Sequence, residues 1–91
     1  MAFVKENNRI TYVQNGEMLA EITFPAFGED GNVVNIDHTF VNDVLRGQGV
    51  AGSLMEQTVE LLRQDGRKAV ATCSYAKKWF EQHPEAKDVL R

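Results

Sequence analysis

The sequence changes from a strand pattern to a helix pattern at one glycine-rich stretch, Leu45-Arg46-Gly47-Gln48-Gly49-Val50-Ala51-Gly52. Beyond it, apolar residues recur at helical spacing over residues 49–65, with charged and polar residues on the opposite side. Gly66 stands where a C-terminal glycine cap belongs, and Arg63 lies in the last turn, where it suits the helix dipole. The pattern predicts a long amphipathic helix that begins inside the glycine-rich stretch.

Two strands and a tight turn are predicted near the start of the chain. Residues 9–14 and 18–24 alternate between apolar and polar side chains. Asn15-Gly16 between them is the strongest short hairpin signal, because a type I′ turn needs two residues that tolerate positive φ. Pro25 should end the second strand.

A third strand is predicted over residues 33–41, directly before the glycine-rich stretch. Its side chains alternate, and four of them are expected on one face, namely Val34, Ile36, His38 and Phe40. Together with the two earlier strands it would form an antiparallel meander.

After the long helix, residues 69–73 are apolar on both faces, which is typical of a strand covered on both sides. Residues 75–82 should form a short helix that stops before Pro84, and Pro84 should open a last turn. The third strand, the long helix and residues 69–73 then form a β-α-β unit with parallel strands. Ligands of such units bind at the carboxyl ends of the strands, where the glycine-rich stretch lies.

The composition fits one small domain, residues 1–91, in which 43% of the residues are apolar. Ten basic and thirteen acidic residues give a net charge of −3, which argues against a nucleic-acid partner, because such a protein needs a basic face. The single cysteine, Cys73, favours a reducing compartment. With no leader peptide and no membrane span in the sequence, we expect a cytoplasmic protein without a membrane partner. One cysteine and two histidines match no zinc spacing, so no metal site is expected.

The glycine-rich stretch is a candidate phosphate site. A helix N-terminus offers unpaired N–H groups and a partial positive charge, and glycines let the backbone approach an anion closely. Arg46 would add charge at the mouth of the site. The spacing fits neither a P-loop nor the dinucleotide fingerprint. The alternative is that the glycines serve only a tight turn between strand and helix.

The order of residues in this stretch resembles a family motif. Arg46-Gly47-Gln48-Gly49-Val50-Ala51 fits Gln/Arg-x-x-Gly-x-Gly/Ala, the acetyl-CoA motif of the GNAT superfamily of N-acetyltransferases. Three more segments extend the resemblance, His38-Thr39-Phe40-Val41, Cys73-Ser74-Tyr75 and His83-Pro84-Glu85. Together they resemble the minimal GNAT-like family, small domains predicted to be N-acetyltransferases. The resemblance covers most of the chain from Arg9 onward.

The resemblance implies an α/β (α+β) fold of GNAT type. An antiparallel β-meander is followed by a β-α-β unit with splayed parallel strands and by short C-terminal helices. The pantetheine arm of acetyl-CoA would lie between the splayed strands, bonded to backbone near Phe40 and Val41. The pyrophosphate would sit on backbone N–H groups of residues 48–52. An amine would attack the thioester directly, and coenzyme A would leave.

The sequence departs from the family where a catalytic tyrosine is usual. In the pattern Asn-x-x-Ala-x-x-x-Tyr, Cys73 stands at the Asn position and Phe80 at the Tyr position, and Phe80 has no proton to give. Tyr75, Cys73 and His38 are the candidates for the missing chemistry. The alternative for each is a packing role: an amphipathic tyrosine, a small buried thiol and a satisfied core histidine.

The sequence therefore predicts an acetyl-CoA-dependent N-acetyltransferase. The larger superfamily has helices between its first strands, where this chain has only turns, so the acceptor site should be open. A protein or peptide amine would fit that opening, or a partner subunit would complete the site. The main alternative is a coenzyme-A-binding module without catalysis, which the Phe80 departure motivates. An interaction domain that keeps only the fold, and a Cys73-dependent hydrolase or acyl carrier, are further alternatives.

Overall fold

The structure, a computed structural model, describes residues 2–29 and 31–91. The strands and α-helices, in chain order, are β1 (Ala2–Glu6), β2 (Arg9–Gln14), β3 (Glu17–Thr23), β4 (Ala26–Phe27), β5 (Val33–Ile36), β6 (His38–Val41), α1 (Val50–Asp65), β7 (Lys68–Ala71) and α2 (Ser74–Gln82). Two 3₁₀ segments, Asp43–Leu45 and Pro84–Val89, precede α1 and follow α2. Of these helices, none is long and apolar enough to cross a membrane.

The strands form two sheets joined by the break between β5 and β6. One sheet is antiparallel, in the order β1-β2-β3-β6, and the other has the order β4-β5-β7. β5 and β7 are parallel, in a register that pairs Val34 with Ala69 and Ile36 with Ala71, and α1 connects them through β6 and the glycine-rich stretch. The predicted meander followed by a β-α-β unit is confirmed.

Glycine and asparagine shape the connections as the sequence predicts. Asn15 and Gly16 have φ of 53° and 77°, which is the conformation of the expected hairpin turn. Gly66, with φ of 68°, ends α1, and its N–H donates to the Arg63 carbonyl at 3.3 Å. This cap satisfies a carbonyl that the helix end would otherwise leave without a partner.

The core lies between α1 and the inner face of the antiparallel sheet. Ala20, Ile22 and Phe24, the alternate apolar residues of the second predicted strand, are all fully buried. From α1, Leu54 and Met55 are also fully buried, at the positions that the helical pattern assigns to its apolar face. The contact between sheet and helix fixes where α1 begins, and so where the glycine-rich stretch lies.

The strand predicted over residues 33–41 is broken at Asp37. The N–H of Asp37 donates to the Thr23 carbonyl at 3.3 Å, and the Asp37 carboxylate accepts a hydrogen bond from the Thr23 hydroxyl at 2.6 Å. Thr23 is also the register partner of His38. Two consecutive residues therefore face one partner, as in a β-bulge, and the break moves the chain from one sheet to the other.

The predicted common face of this strand is consequently wrong. Val34 and Ile36 are fully buried, whereas His38 and Phe40 are exposed. Alternation holds on each side of the break but not across it, because the extra residue turns the following side chains to the other face.

Two further features differ from the sequence-based expectation. β1 was not predicted, and it pairs along β2, with the rings of Phe3 and Tyr12 edge to face at 5.1 Å. Residues 69–73 were expected inside a sheet, but β7 is an edge strand of the order β4-β5-β7. Leu90 forms a short parallel bridge with Ala69 on that edge, so the apolar residues there are covered by the C-terminal segment.

We expect Gly66→Ala to destabilise the protein by about 1 kcal/mol, because an L side chain resists the left-handed conformation of this cap. Thermal unfolding should show a melting temperature lower by roughly 5 °C. Gln64→Ala, an exposed change in the same helical turn, is the control and should have little effect. Equal melting temperatures for Gly66→Ala and the wild type would contradict the assignment of the cap.

Candidate functional site

The glycine-rich stretch reverses the chain between the 3₁₀ segment Asp43–Leu45 and α1. Gly47 and Gly49 have φ of 80° and 73°, in the region that favours glycine. A Cβ built on either residue would meet no atom of the protein within 4 Å. Glycine is therefore required here by backbone conformation, and the space in front of the loop is open.

The first turn of α1 presents a group of backbone donors to this open space. The first helical hydrogen bond runs from the Ser53 N–H to the Gly49 carbonyl, at 3.0 Å. The N–H groups of Gly49, Val50, Ala51 and Gly52 make no hydrogen bond to any part of the chain that the structure describes. The Gln48 N–H, the fifth predicted donor, already binds the Leu45 carbonyl at 3.1 Å.

Two polar side chains lie at the mouth of this loop. Arg46 is 81% exposed and pairs with Asp43 at 3.1 Å, so its guanidinium has only a surface ion pair to hold it. The Gln48 side chain donates to the Val44 carbonyl at 3.4 Å, which ties it back to the turn. Arg46 is therefore the side chain with freedom to reach an anion at the helix N-terminus.

The parallel strands separate just beyond Ile36. Its carbonyl accepts hydrogen bonds from the N–H groups of both Thr72 and Cys73, each at 3.1 Å, and this closes the β5–β7 ladder. Among the described strands, β6 then pairs only with β3, on the far side. We call the gap between the open edge of β6 and the start of α2 the cleft.

The backbone of β6 alternates between β3 and this cleft. The Asn42 N–H donates to the Leu19 carbonyl at 2.7 Å, and the same register places the backbone groups of Phe40 toward β3. The backbone groups of Thr39 and Val41 then point away from β3, along the open edge. Of the two residues that the resemblance assigned to pantetheine binding, Val41 offers its backbone to the cleft.

Cys73 lies at the inner end of the cleft, as the N-cap residue of α2. Its Sγ is 3.5 Å from the Thr39 hydroxyl oxygen. Burial raises the pKa of the thiol, but the Thr39 hydroxyl and the backbone N–H groups of Ala76, Tyr75 and Thr39 lower it by more, so the net pKa is lowered. The site stabilises a thiolate in the way that helix N-termini commonly do.

Tyr75 connects the starts of the two helices. Its hydroxyl oxygen is 3.9 Å from the position of a Cβ built on Gly52, so it lies against the first turn of α1. Burial, followed by the charge of Cys73, raises the pKa of Tyr75. At neutral pH the phenol therefore keeps its proton and is available as a donor.

His38 lies apart from the cysteine. Its ring is 54% exposed, and Nε2 is 3.7 Å from a carboxylate oxygen of Glu21, which also pairs with Arg9 at 3.0 Å. Within residues 2–29 and 31–91, His38 makes no hydrogen bond or ion pair with Cys73. The structure brings Thr39, not His38, to the thiol.

Phe80 was identified from the sequence as a departure from the family pattern, whereas the contact of Thr39 with Cys73 was not predicted. Phe80 is 3% exposed and packs edge to face on Trp79 at 5.3 Å, a core position with no hydroxyl, in agreement with the departure noted in the sequence. Thr39 was missed as a partner of the cysteine, because the two residues are 34 positions apart and only the sheet register joins them. No three potential metal-binding side chains come together in the described part of the chain.

Alkylation of Cys73 by iodoacetamide should show a pH midpoint below that of an ordinary cysteine, because the folded site favours the thiolate. Thr39→Val removes one donor to the thiolate, so the midpoint should move to higher pH. Thr72→Val is the matched control, since the Thr72 hydroxyl bonds the Asn35 side chain at 2.9 Å instead. An equal midpoint for Thr39→Val and the wild type would contradict the proposed stabilisation.

The chain is similar to several known proteins. Residues 9–89 match the family model of the GCN5-related N-acetyltransferases. Protein NATD1 of Homo sapiens is 33% identical over 52 residues, which are 57% of this chain and 46% of NATD1, and the match to Mus musculus NATD1 is of the same size. The matched stretch thus spans about half the length of these curated relatives.

Solved structures show the same fold. The NMR structure of a GCN5-like protein from Staphylococcus aureus is 36% identical, with a TM-score of 0.76 over 99% of this chain and 87% of that one. The ribosomal-protein-S18-alanine N-acetyltransferase of Escherichia coli shares the fold at 16% identity, with a TM-score of 0.64 over 88% of this chain and 50% of that one. The glycine-rich loop at a helix start, the separating parallel strands and the family match together place this chain in the GCN5-related N-acetyltransferase family.

Proposed function

We propose that the chain is an acetyl-CoA-dependent N-acetyltransferase whose acceptor is an amine of a protein or peptide. The main observation in support is the set of four unpaired N–H groups on residues 49–52, which lie where the parallel strands separate. A reducing, cytoplasmic location, which would keep the single thiol free, is part of this proposal.

The loop fits a pyrophosphate by its donors and its open space. Consecutive N–H groups at a helix start act as an anion site, and the helix dipole adds about half a positive charge there. Gly47 and Gly49 have positive φ, and the space where their side chains would lie holds no atom within 4 Å, so it is free for a ligand. Arg46, held only by a surface ion pair, would supply a cation at the rim.

The cleft fits the pantetheine arm, which carries amide groups. The backbone groups of Val41 face the cleft on an edge of β6 that has no strand partner among the described strands, and an amide chain would extend that edge. An arm that starts at the first turn of α1 and follows β6 inward ends near Cys73. The thioester supplies the acetyl group at that point.

The lowered pKa of Cys73 favours a covalent route. The Cys73 thiolate attacks the thioester carbonyl, an S–C bond forms on Cys73, and the bond to the coenzyme A sulfur breaks. Tyr75, which keeps its proton, is a candidate donor to the leaving sulfur. The acceptor amine then attacks acetyl-Cys73, the thiolate is released, and the proton of the amine passes to His38 or to solvent.

The acceptor would approach from the outer face of the antiparallel sheet. The register places Val4 and Phe40 on one rung of this face, with Thr11 and Glu21 between them, and Met18 lies on the same face. The three apolar side chains are 39–42% exposed. His38, the candidate base, lies beside Glu21 on this face. An amine that approaches over this face would therefore reach His38 before it reaches the Cys73 thiol.

The second candidate is a coenzyme-A-binding module without catalysis. The buried Phe80, which provides no proton at the position of the usual acid, favours it. Both candidates require the loop to bind coenzyme A, and only the first requires acetyl transfer.

Calorimetry should show that acetyl-CoA binds and that pantetheine binds at least about tenfold more weakly, because it lacks the charge-assisted bonds of the pyrophosphate. Gly49→Ala should weaken acetyl-CoA binding, since strain at φ 73° would reorient the first N–H groups of α1.

Gly66→Ala is the matched control for this test. It places a similar strain, at φ 68°, at the opposite end of the same helix, and it should leave the affinity unchanged. Equal affinities for acetyl-CoA and pantetheine, or normal binding by Gly49→Ala, would mean that the loop is only a turn.

Incubation with acetyl-CoA should add one acetyl mass to the protein, and Cys73→Ala should abolish the addition while keeping the affinity for coenzyme A. With an amine acceptor, Cys73→Ala should lower the rate by roughly a hundredfold or more, and a base role for His38 predicts a similar loss for His38→Ala. Wild-type rates in both variants would exclude these roles. Intact binding with no acetylation and no turnover over a panel of amines would establish the binding module.

A further inference from the structure

A groove of about 340 Å³ follows the seam between α1 and α2. Glu56 and Glu60 line it from α1, Trp79 lines it from α2, and His83 and Glu85 lie at its far end. Glu56 follows Gly52 by four residues on α1, and Trp79 follows Tyr75 by four residues on α2. The groove therefore begins one helical turn beyond the contact between Gly52 and Tyr75. The groove is thus next to the proposed transfer site but shares no residue with it.

The groove is acidic. Glu56, Glu60 and Glu85 form no ion pair with any residue in the described ranges. Arg63, the arginine that lines the groove, is paired with Asp88, since its guanidinium bonds the two Asp88 carboxylate oxygens at 2.7 and 3.0 Å and donates to the Glu85 carbonyl at 3.1 Å. Its charge is therefore compensated, and the three glutamates give the groove a negative potential.

Trp79 lines this groove and carries one polar side-chain group, the indole N–H. The residue is 6% exposed, its ring is stacked on His83 at 4.0 Å, and Phe80 packs against it edge to face. The indole N–H has no acceptor within residues 2–29 and 31–91, and it is accessible to solvent. An almost buried tryptophan thus lines the groove, and its N–H has no hydrogen-bond acceptor in the described part of the chain.

We propose that this groove docks an extended, basic peptide segment of a protein partner. Lysine or arginine side chains of the segment pair with Glu56 and Glu60, and a backbone carbonyl accepts the hydrogen bond of the Trp79 indole. The indole argues for a peptide, because a free polyamine would satisfy the glutamates but offers no acceptor for the N–H. The docking site does not depend on acetyl transfer.

Trp79 is the single tryptophan of the chain, so its fluorescence reports on the groove directly. The probe is a capped peptide of alternating lysine and glycine, and the control peptide has glutamine in place of lysine. Titration with the lysine peptide should change the tryptophan fluorescence saturably, and added salt should weaken the binding, because exposed charges are screened. The glutamine peptide should produce no saturable change.

Glu56→Gln and Glu60→Gln should each weaken binding of the lysine peptide about two- to fivefold, the range for exposed charge pairs. Glu81→Gln is the matched control, since it removes the same charge from α2 two residues after Trp79, outside the groove. Acetyl-CoA affinity should stay unchanged in all three variants, which separates this test from that of the proposed function.

Three results would overturn the proposal. The first is that neither peptide changes the fluorescence. The second is that Glu81→Gln weakens binding as much as the groove variants do, because the attraction would then be a property of the whole acidic surface. The third is that spermidine binds as tightly as the lysine peptide, which would assign the groove to free amines instead.

Discussion

The rest of the structure depends on the two hydrogen bonds between Thr23 and Asp37, which hold a bulge at the break between β5 and β6. Residues before Asp37 pair with β7, and residues after it pair with β3. A regular strand could pair on both sides at once, because the backbone groups of successive residues point to opposite edges. The bulge interrupts that regularity, so among the described strands β6 pairs with β3 alone, and its other edge has no strand partner where the parallel strands separate. The cleft is a direct result of that break.

Both α-helices begin at this cleft because each follows one of the separating strands. α1 starts after β6 and the glycine turn, and α2 starts directly after β7. Two helix N-termini therefore converge, one with N–H groups that have no partner in the described chain and the other with N–H groups that lower the pKa of Cys73. The Tyr75 hydroxyl lies against Gly52, so Tyr75 bridges the first turns of the two helices. Two positive helix ends beside one cleft suit both an anionic ligand and a thiolate.

The parts of the fold predicted from sequence are those fixed by local chemistry. The Asn15-Gly16 turn, the Gly66 cap and the amphipathic face of α1 follow from positive φ and from helical periodicity, which involve neighbours in the chain. The break at Asp37 could not be predicted in this way, because Val34, Ile36, His38 and Phe40 continue the alternation through it. The short β1 also lacks a pattern long enough to predict a strand.

The same distinction between local and tertiary contacts decides which parts of the candidate site could be predicted from the sequence. The glycine-rich loop is contiguous in sequence, so its residues and its position at a helix start were predictable. The contact of Thr39 with Cys73 depends on the register of two sheets, and the separation of His38 from Cys73 depends on the bulge. Side chains that meet only through tertiary pairing carry no signal in the spacing of residues. For this reason, Thr39 was missed and His38 was placed on a buried face.

The distribution of charge leaves backbone donors, with Arg46 at the rim, as the groups suited to bind an anion at the start of α1. The chain has more acidic than basic residues, and its arginines are largely committed: Arg9 pairs with Glu21, Arg63 with Asp88 and Arg67 with Asp65. An N–H group at a helix start attracts an anion without any compensating carboxylate in the fold. Glu56 and Glu60, which have no ion-pair partner among the described residues, lie on α1 beyond its first turn and line the groove beside α2. The two electrostatic surfaces thus lie at different places on α1. Its positive N-terminal end is at the cleft, and its negative face is beside α2.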